Sequence, residues 1–118
     1  MIETISKYSE IIREFSIELF EEEGFSYRLN SHLIFIDDSI LVVKDYVFQN
    51  NERKYSYHWM DMNHKMILRW DNCEHWKNIE TFPHHCHNGE SGIIESSYAC
   101  SLDEILFIIR KKIIKKTK

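Results

Sequence analysis

The side chains best able to do chemistry crowd into one stretch, Lys54 to His87, which reads KYSYHWMDMNHKMILRWDNCEHWKNIETFPHHCH. It holds six of the seven histidines, all three tryptophans, two of the three cysteines and the only proline. Imidazole is the side chain best placed to move protons near pH 7, so His58, His84, His85 and His87 are candidate acids and bases. Arg69 offers a planar guanidinium that matches phosphate geometry and can stabilise a developing oxyanion. Asp71 can orient either a histidine or Arg69. Together these parts suffice for metal-free cleavage at a ribose phosphodiester. One imidazole takes the 2′-hydroxyl proton, an acid protonates the leaving 5′-oxygen, and the cation meets the phosphorane-like charge. Ser56, Tyr57, His75 and Trp76 are the candidate substrate contacts, the aromatic rings as stacking surfaces for unpaired bases.

The same residues admit plainer readings. Tyr55, Tyr57 and Trp70 on strands suit a core, and Arg69 with Asp71 suits a surface ion pair worth under about 1 kcal/mol. His64 sits in a turn, where it is simply solvated, and His32 starts a strand and carries no assigned role. A zinc site could draw on Cys73, His75, His85, Cys86 and His87, whose donor types fit. Their spacing does not, because there is no C-x2-C or H-x3-H, and neighbours on an extended chain point to opposite sides. No metal and no cofactor are assigned.

Elements must hold this stretch in place. Residues 2–23 read as an amphipathic helix, with Ile5, Tyr8, Ile12, Phe15 and Leu19 on one stripe and glutamates outside. Gly24 then supplies a left-handed stop. Residues 25–71 change to alternating and β-branched runs, predicting an antiparallel meander of four or five strands. Asn50-Asn51 reads as a two-residue hairpin turn. If the last hairpin has a loop of two or four residues, Tyr55 faces Trp70, Tyr57 faces Leu68 and Trp59 faces Met66 on an apolar side. Ser56 then faces Arg69, and His58 faces Ile67, with Asp71 following on the polar side; a three-residue loop would break this parity. Residues 72–100 read as a histidine-rich loop that folds back over the polar face, anchored by Trp76 and Phe82, with a short strand near Gly92. Ser101-Leu-Asp-Glu is a capping box that opens a C-terminal helix, 101–118, with a basic tail. The whole, residues 1–118, is one α+β domain with an N-terminal and a C-terminal helix packed on one face of the sheet.

Composition narrows the class. The net charge is −4 and the last nine residues, RKKIIKKTK, carry six cations. A nucleic acid would therefore be met locally rather than through the whole-molecule field. The acidic first helix and the basic last one are complementary enough to serve self-association or a partner. No apolar run approaches the roughly 18 residues of a membrane span, and the N-terminus lacks a signal-peptide pattern. An odd number of irregularly spaced cysteines fits a reduced, cytoplasmic chain.

Three motifs in order carry a family resemblance: Tyr55-Ser56-Tyr57-His58, Arg69-Trp70-Asp71-Asn72 and Phe82-Pro83-His84-His85-Cys86-His87, followed by Ser101-Leu102-Asp103-Glu104. Across residues 40–115 the chain resembles the TumE-like toxins of type II toxin–antitoxin systems. That family often has paired histidines where Glu74-His75-Trp76 stands, and a basic residue where Cys86 stands. The resemblance implies a growth-inhibiting toxin silenced by a cognate, DNA-binding antitoxin encoded beside it. RNA as the target is an inference from the His/Arg/Asp set. The alternatives are a non-catalytic toxin or regulator that binds RNA or protein, and a zinc-stabilised interaction module.

Overall fold

The computed structural model describes residues 1–116, so the last two residues of the expected C-terminal helix lie outside the described residues. Its elements run α1 (Ile2–Lys7), β1 (Ile12–Glu23), β2 (Ser26–Phe35), β3 (Ile40–Val47), β4 (Arg53–Met60), β5 (Met66–Asp71), β6 (His85–Asn88), β7 (Ile94–Ser96) and α2 (Leu102–Lys116). The strands form one antiparallel sheet of seven in sequence order, rather than four or five.

Two of the extra strands come from segments expected to be something else. The expected helix over 2–23 stops at Lys7, and residues 12–23 form β1 along the edge of β2. The reason is a degenerate pattern. Phe15, Ile17 and Leu19 alternate with Glu14, Ser16 and Glu18, so one run of residues carries a helical stripe and a period of two. A ladder along all of β2 decides between them. Gly24 does have a left-handed backbone, φ +61, but it opens the two-residue turn between Glu23 and Ser26. Glycine at the first central position is what a II′ hairpin turn requires. The acidic run proposed as a helix face is therefore the outer strand of a hairpin arm, with Phe20 and Phe25 exposed near its tip. The strands expected at Phe25–Leu29 and His32–Ile36 merge into β2, which is laddered on both sides.

The next three hairpins share one loop design. In each, the nitrogen at the loop start bonds the carbonyl four residues on: Phe35 to Ser39, Phe48 to Glu52, Asp61 to Lys65. The third loop residue is left-handed in every case, Asp38, Asn51 and His64, with φ 69, 68 and 65. Asn and Asp tolerate that region best among residues with a side chain.

The β4–β5 loop thus has three residues, the length that would break the predicted parity. A bulge between Trp59 and Met60 restores it. The register moves by two and the faces stay as expected: Ser56 pairs with Asp71, Tyr57 with Trp70, His58 with Arg69, and Trp59 with Leu68.

One face carries the core. Leu33, Phe35, Leu41, Val43, Tyr55, Tyr57, Trp59, Trp70 and Cys86 meet Ile5, Tyr8 and Ile11 from the N-terminal segment and Ile105, Leu106, Ile109 and Ile113 from α2. The Ser101 hydroxyl caps α2 by accepting from the Glu104 amide at 3.4 Å. Tyr8 donates to Asp103 at 2.7 Å and Lys7 pairs with Asp103, which seats α1 against the start of α2. No described helix is long and apolar enough to cross a membrane.

Candidate active site

The opposite face of the sheet is where the chemistry gathers. Cross-strand pairing lines up two rows: Val42–His58–Arg69–His87 and Lys44–Ser56–Asp71–His85. Directly opposed residues share a face, so each row is a band of side chains running across β3, β4, β5 and β6.

The expected loop over 72–100 contributes these histidines as strand β6, added beside β5, instead of folding over the face. His-His-Cys-His has no strand-like composition; the free edge of β5 imposes it. Extended geometry then separates neighbours. Cys86 enters the core, its thiol pushed up to about 12 by burial, while His85 and His87 point the other way. The Phe82–Pro83 peptide is cis.

At the centre lies Asp71, 4% exposed. Its Oδ1 accepts from the Cys73 amide at 2.9 Å and lies 2.9 Å from His85 Nε2. Its Oδ2 accepts from Arg69 Nε at 3.0 Å and lies 3.5 Å from His87 Nε2. The two imidazoles meet each other as well, Nε2 to Nε2, at 3.0 Å. His85 is 1% exposed, and its Nδ1 donates to the Pro83 carbonyl at 2.9 Å. That bond fixes the ring so that Nε2 faces the carboxylate. Trp76 stands edge-on to both rings, centroids 6.4 Å from His85 and 6.2 Å from His87. Asp71, His85 and His87 are the residues that could hold a metal ion, their donor atoms all within 4.8 Å.

Electrostatics around the cluster favour neutral imidazoles at its margin. His87 is held below the usual histidine range by burial and by the charges of His85 and Arg69, with Asp71 pulling the other way. His58 is lowered by burial, then by Arg69 and His87, and its Nε2 is buried without a hydrogen-bond partner among the described residues. Beside the cluster opens a cleft of about 480 Å³ lined by Lys44, Lys54, Ser56, His58, Arg69, Asp71 and Asn72 among others.

The remaining candidates lie elsewhere. His84 stacks on Tyr55 with centroids 5.8 Å apart, and its Nδ1 shares a hydrogen bond of 2.9 Å with the Tyr55 hydroxyl. Tyr55 is a core-face residue whose own ionisation burial pushes far up. Tyr57 is not a stacking surface. At 1% exposure its ring is enclosed, and its hydroxyl donates to Asp45. His75 is exposed, its Nδ1 lies 3.4 Å from Cys73 Sγ, and it is not part of the Asp71 cluster. His32 meets Glu18 on the arm.

Several contributors escaped the sequence reading. Lys54 was legible, since it shares the parity of Ser56 and His58. Lys44 needed the β3–β4 pairing. Asn72 mimics backbone, accepting from the Tyr55 amide at 3.0 Å and donating to the Arg53 carbonyl at 2.7 Å, and so extends the β4–β5 ladder past Asp71. The amide of Cys73 and the carbonyl of Pro83 are backbone groups that no residue type announces.

The family model described as Toxin TumE matches residues 1–114. No curated protein and no solved structure matches the chain.

Proposed function

The chain belongs to the TumE toxin family, and from that premise we propose that it acts by cleaving RNA in the cleft beside Asp71. A toxin of this kind implies a cognate antitoxin; we take that partner to be a DNA-binding protein, as in type II toxin–antitoxin systems. The observation that supports RNA cleavage is the convergence of two imidazoles on one buried carboxylate, next to a cleft with cations on its walls.

The parts divide as follows. Arg69, Lys44 and Lys54 seat the phosphate, Arg69 as the planar clamp and the lysines as exposed point charges. The Asp71–His85–His87 cluster supplies a donor that is held in place before the substrate arrives. With His85 Nδ1 committed to Pro83, its Nε2 can lie 2.9 Å from the carboxylate oxygen only with a proton or a cation between them. Such a preorganised group, able to protonate or polarise an oxygen of the scissile phosphate, contributes about 10²- to 10⁴-fold to rate. His58 stands in the adjacent row, opposite Arg69, and takes the 2′-hydroxyl proton once substrate opens its Nε2. Ser56 and Trp76 are the contacts for ribose and base.

The test is direct. Purified chain is incubated with an RNA oligonucleotide and its all-2′-deoxy equivalent. Cleavage of the first alone, reduced at least about 100-fold in a folded His85→Ala variant, supports the proposal. Tight binding of RNA left intact refutes it in favour of a toxin that acts by binding.

A further inference from the structure

The strongest unexplained feature is the closeness of three donor atoms on three different side chains. Two imidazole nitrogens 3.0 Å apart repel if both present lone pairs, so a shared proton or a cation must lie between them. We propose that Asp71, His85 and His87 together bind one divalent transition-metal ion, through a carboxylate oxygen and the two Nε2 atoms, and that the ion takes the place of the shared proton. What the ion would do rests on the RNA-cleaving reading; that it binds does not.

Spacing is the first argument. Bonds of about 2.0–2.1 Å to nitrogen or oxygen place neighbouring ligand atoms about 2.9–3.4 Å apart, depending on whether the geometry is octahedral or tetrahedral. His85 Nε2 lies 2.9 Å from Asp71 Oδ1 and 3.0 Å from His87 Nε2, both inside that range, and His87 Nε2 lies 3.5 Å from the other carboxylate oxygen, Oδ2.

The surroundings are the second. A metal-binding histidine characteristically donates its other ring nitrogen to a carbonyl or carboxylate, which fixes the tautomer and turns the lone pair inward. His85 does this with the Pro83 carbonyl. The carboxylate is steadied likewise: Arg69 Nε holds Oδ2 and the Cys73 amide holds Oδ1, leaving a lone pair of Oδ1 for the ion. Burial of Asp71 and His85, with Trp76 edge-on to both imidazoles, gives the site a dry wall.

Donor type sets the class of ion. Two nitrogens and one oxygen suit Zn²⁺, Co²⁺ or a similar borderline ion, whereas Mg²⁺ and Ca²⁺ favour oxygen alone. Thiolate takes no part, because Cys86 is on the other face and Cys73 faces His75. Three protein ligands leave at least one position for water or a phosphate oxygen, which a bound ion would polarise as a Lewis acid.

The experiment uses the full chain, stripped with chelator and titrated with Co²⁺ by visible absorption and with Zn²⁺ by calorimetry. The expected result is one ion per chain, with affinity lowered at least tenfold in Asp71→Asn and His87→Ala and unchanged in His75→Ala and Cys73→Ala. His87 is half-buried rather than enclosed, so its variant remains informative should His85→Ala fail to fold. Far-UV circular dichroism of each variant checks the fold. Absence of binding at millimolar metal to folded chain overturns the proposal. So does binding that survives His87→Ala but is lost in Cys73→Ala. Binding of Co²⁺ by a chain that leaves RNA intact overturns the nuclease reading and supports the ion. Cleavage by a chain that binds no metal overturns the ion and supports the nuclease.

Discussion

Two buried aspartates, one on each face of the sheet, have an arginine partner and opposite characters. Asp45, on the helix-packed face, is 8% exposed and receives both prongs of Arg53, at 2.9 and 3.0 Å. The Tyr57 hydroxyl adds a third bond at 2.9 Å. Arg53 also donates to the Cys100 carbonyl at 2.8 Å and lies over the Tyr55 ring at 4.3 Å. Burial works to lower the Arg53 pKa, yet the hydrogen bond and charge of Asp45 outweigh it and push it up, so every donor at Asp45 keeps its proton. That cluster pins β3 and β4 to the segment leading into α2. Asp71 receives one N–H from an arginine whose side chain is 38% exposed, one backbone amide, and two imidazoles. Its partners can exchange protons or bind a metal. On the proposed reading the same acid is structural where its donors are permanent and functional where they are exchangeable.

The largest effect should come from breaking the permanent cluster. Asp45→Asn leaves Arg53 buried against a neutral amide, and disruption of a buried ion pair costs about 3–5 kcal/mol. Urea denaturation should show most of the stability gone, and toxicity with it. Asp71→Asn should keep the fold, losing no more than about 1–3 kcal/mol because an amide in the same place can still hydrogen-bond its neighbours. Equal loss in both variants would erase the distinction.

Next in size is a contrast between neighbouring histidines. His85→Ala should lower RNA cleavage at least about 100-fold, while His84→Ala, whose ring rests on Tyr55, should leave it within about threefold. Reversal of that order in a single-turnover assay would move the site to the other face.

A smaller effect tests the frame that holds β6. A Cβ added at Gly89 would lie 1.8 Å from the Met66 carbonyl oxygen, so Gly89→Ala must push β6 away from β5. The expected cost is about 1–3 kcal/mol in a denaturation experiment. Cleavage should fall as His87 moves off Arg69, and full stability with full activity would show that this contact is slack.

The smallest prediction concerns thiols. Cys73 is exposed, whereas Cys86 and Cys100 are buried, with Cys100 pushed up to about 11 by that burial. A thiol reagent at pH 8 should label one cysteine in the native chain and three in denaturant.

How much of this was legible in the sequence depended on how many patterns each segment could satisfy. Tyr55, Tyr57 and Trp59 alternate with Ser56 and His58 so cleanly that the two faces of β4 were readable without a register. The register itself was not, because a three-residue loop and a compensating bulge offset each other and neither has a residue signature. Phe15 to Leu19 fitted a helix and a strand alike, and the uncovered edge of β2 separates them. Strand β6 was hidden because its histidines form a ladder by proximity to β5 rather than by propensity. The candidate residues were legible as a set, from composition alone. Their division into the Asp71 cluster, the Tyr55–His84 stack and the exposed Cys73–His75 pair required the coordinates.

The most direct measurement is cleavage of a ribose-containing oligonucleotide by wild-type chain and by Asp71→Asn, compared at equal folded concentration. The account predicts that wild type cuts and that the folded Asp71→Asn variant cuts at least about 100-fold more slowly. Cleavage at an undiminished rate by folded Asp71→Asn would contradict it.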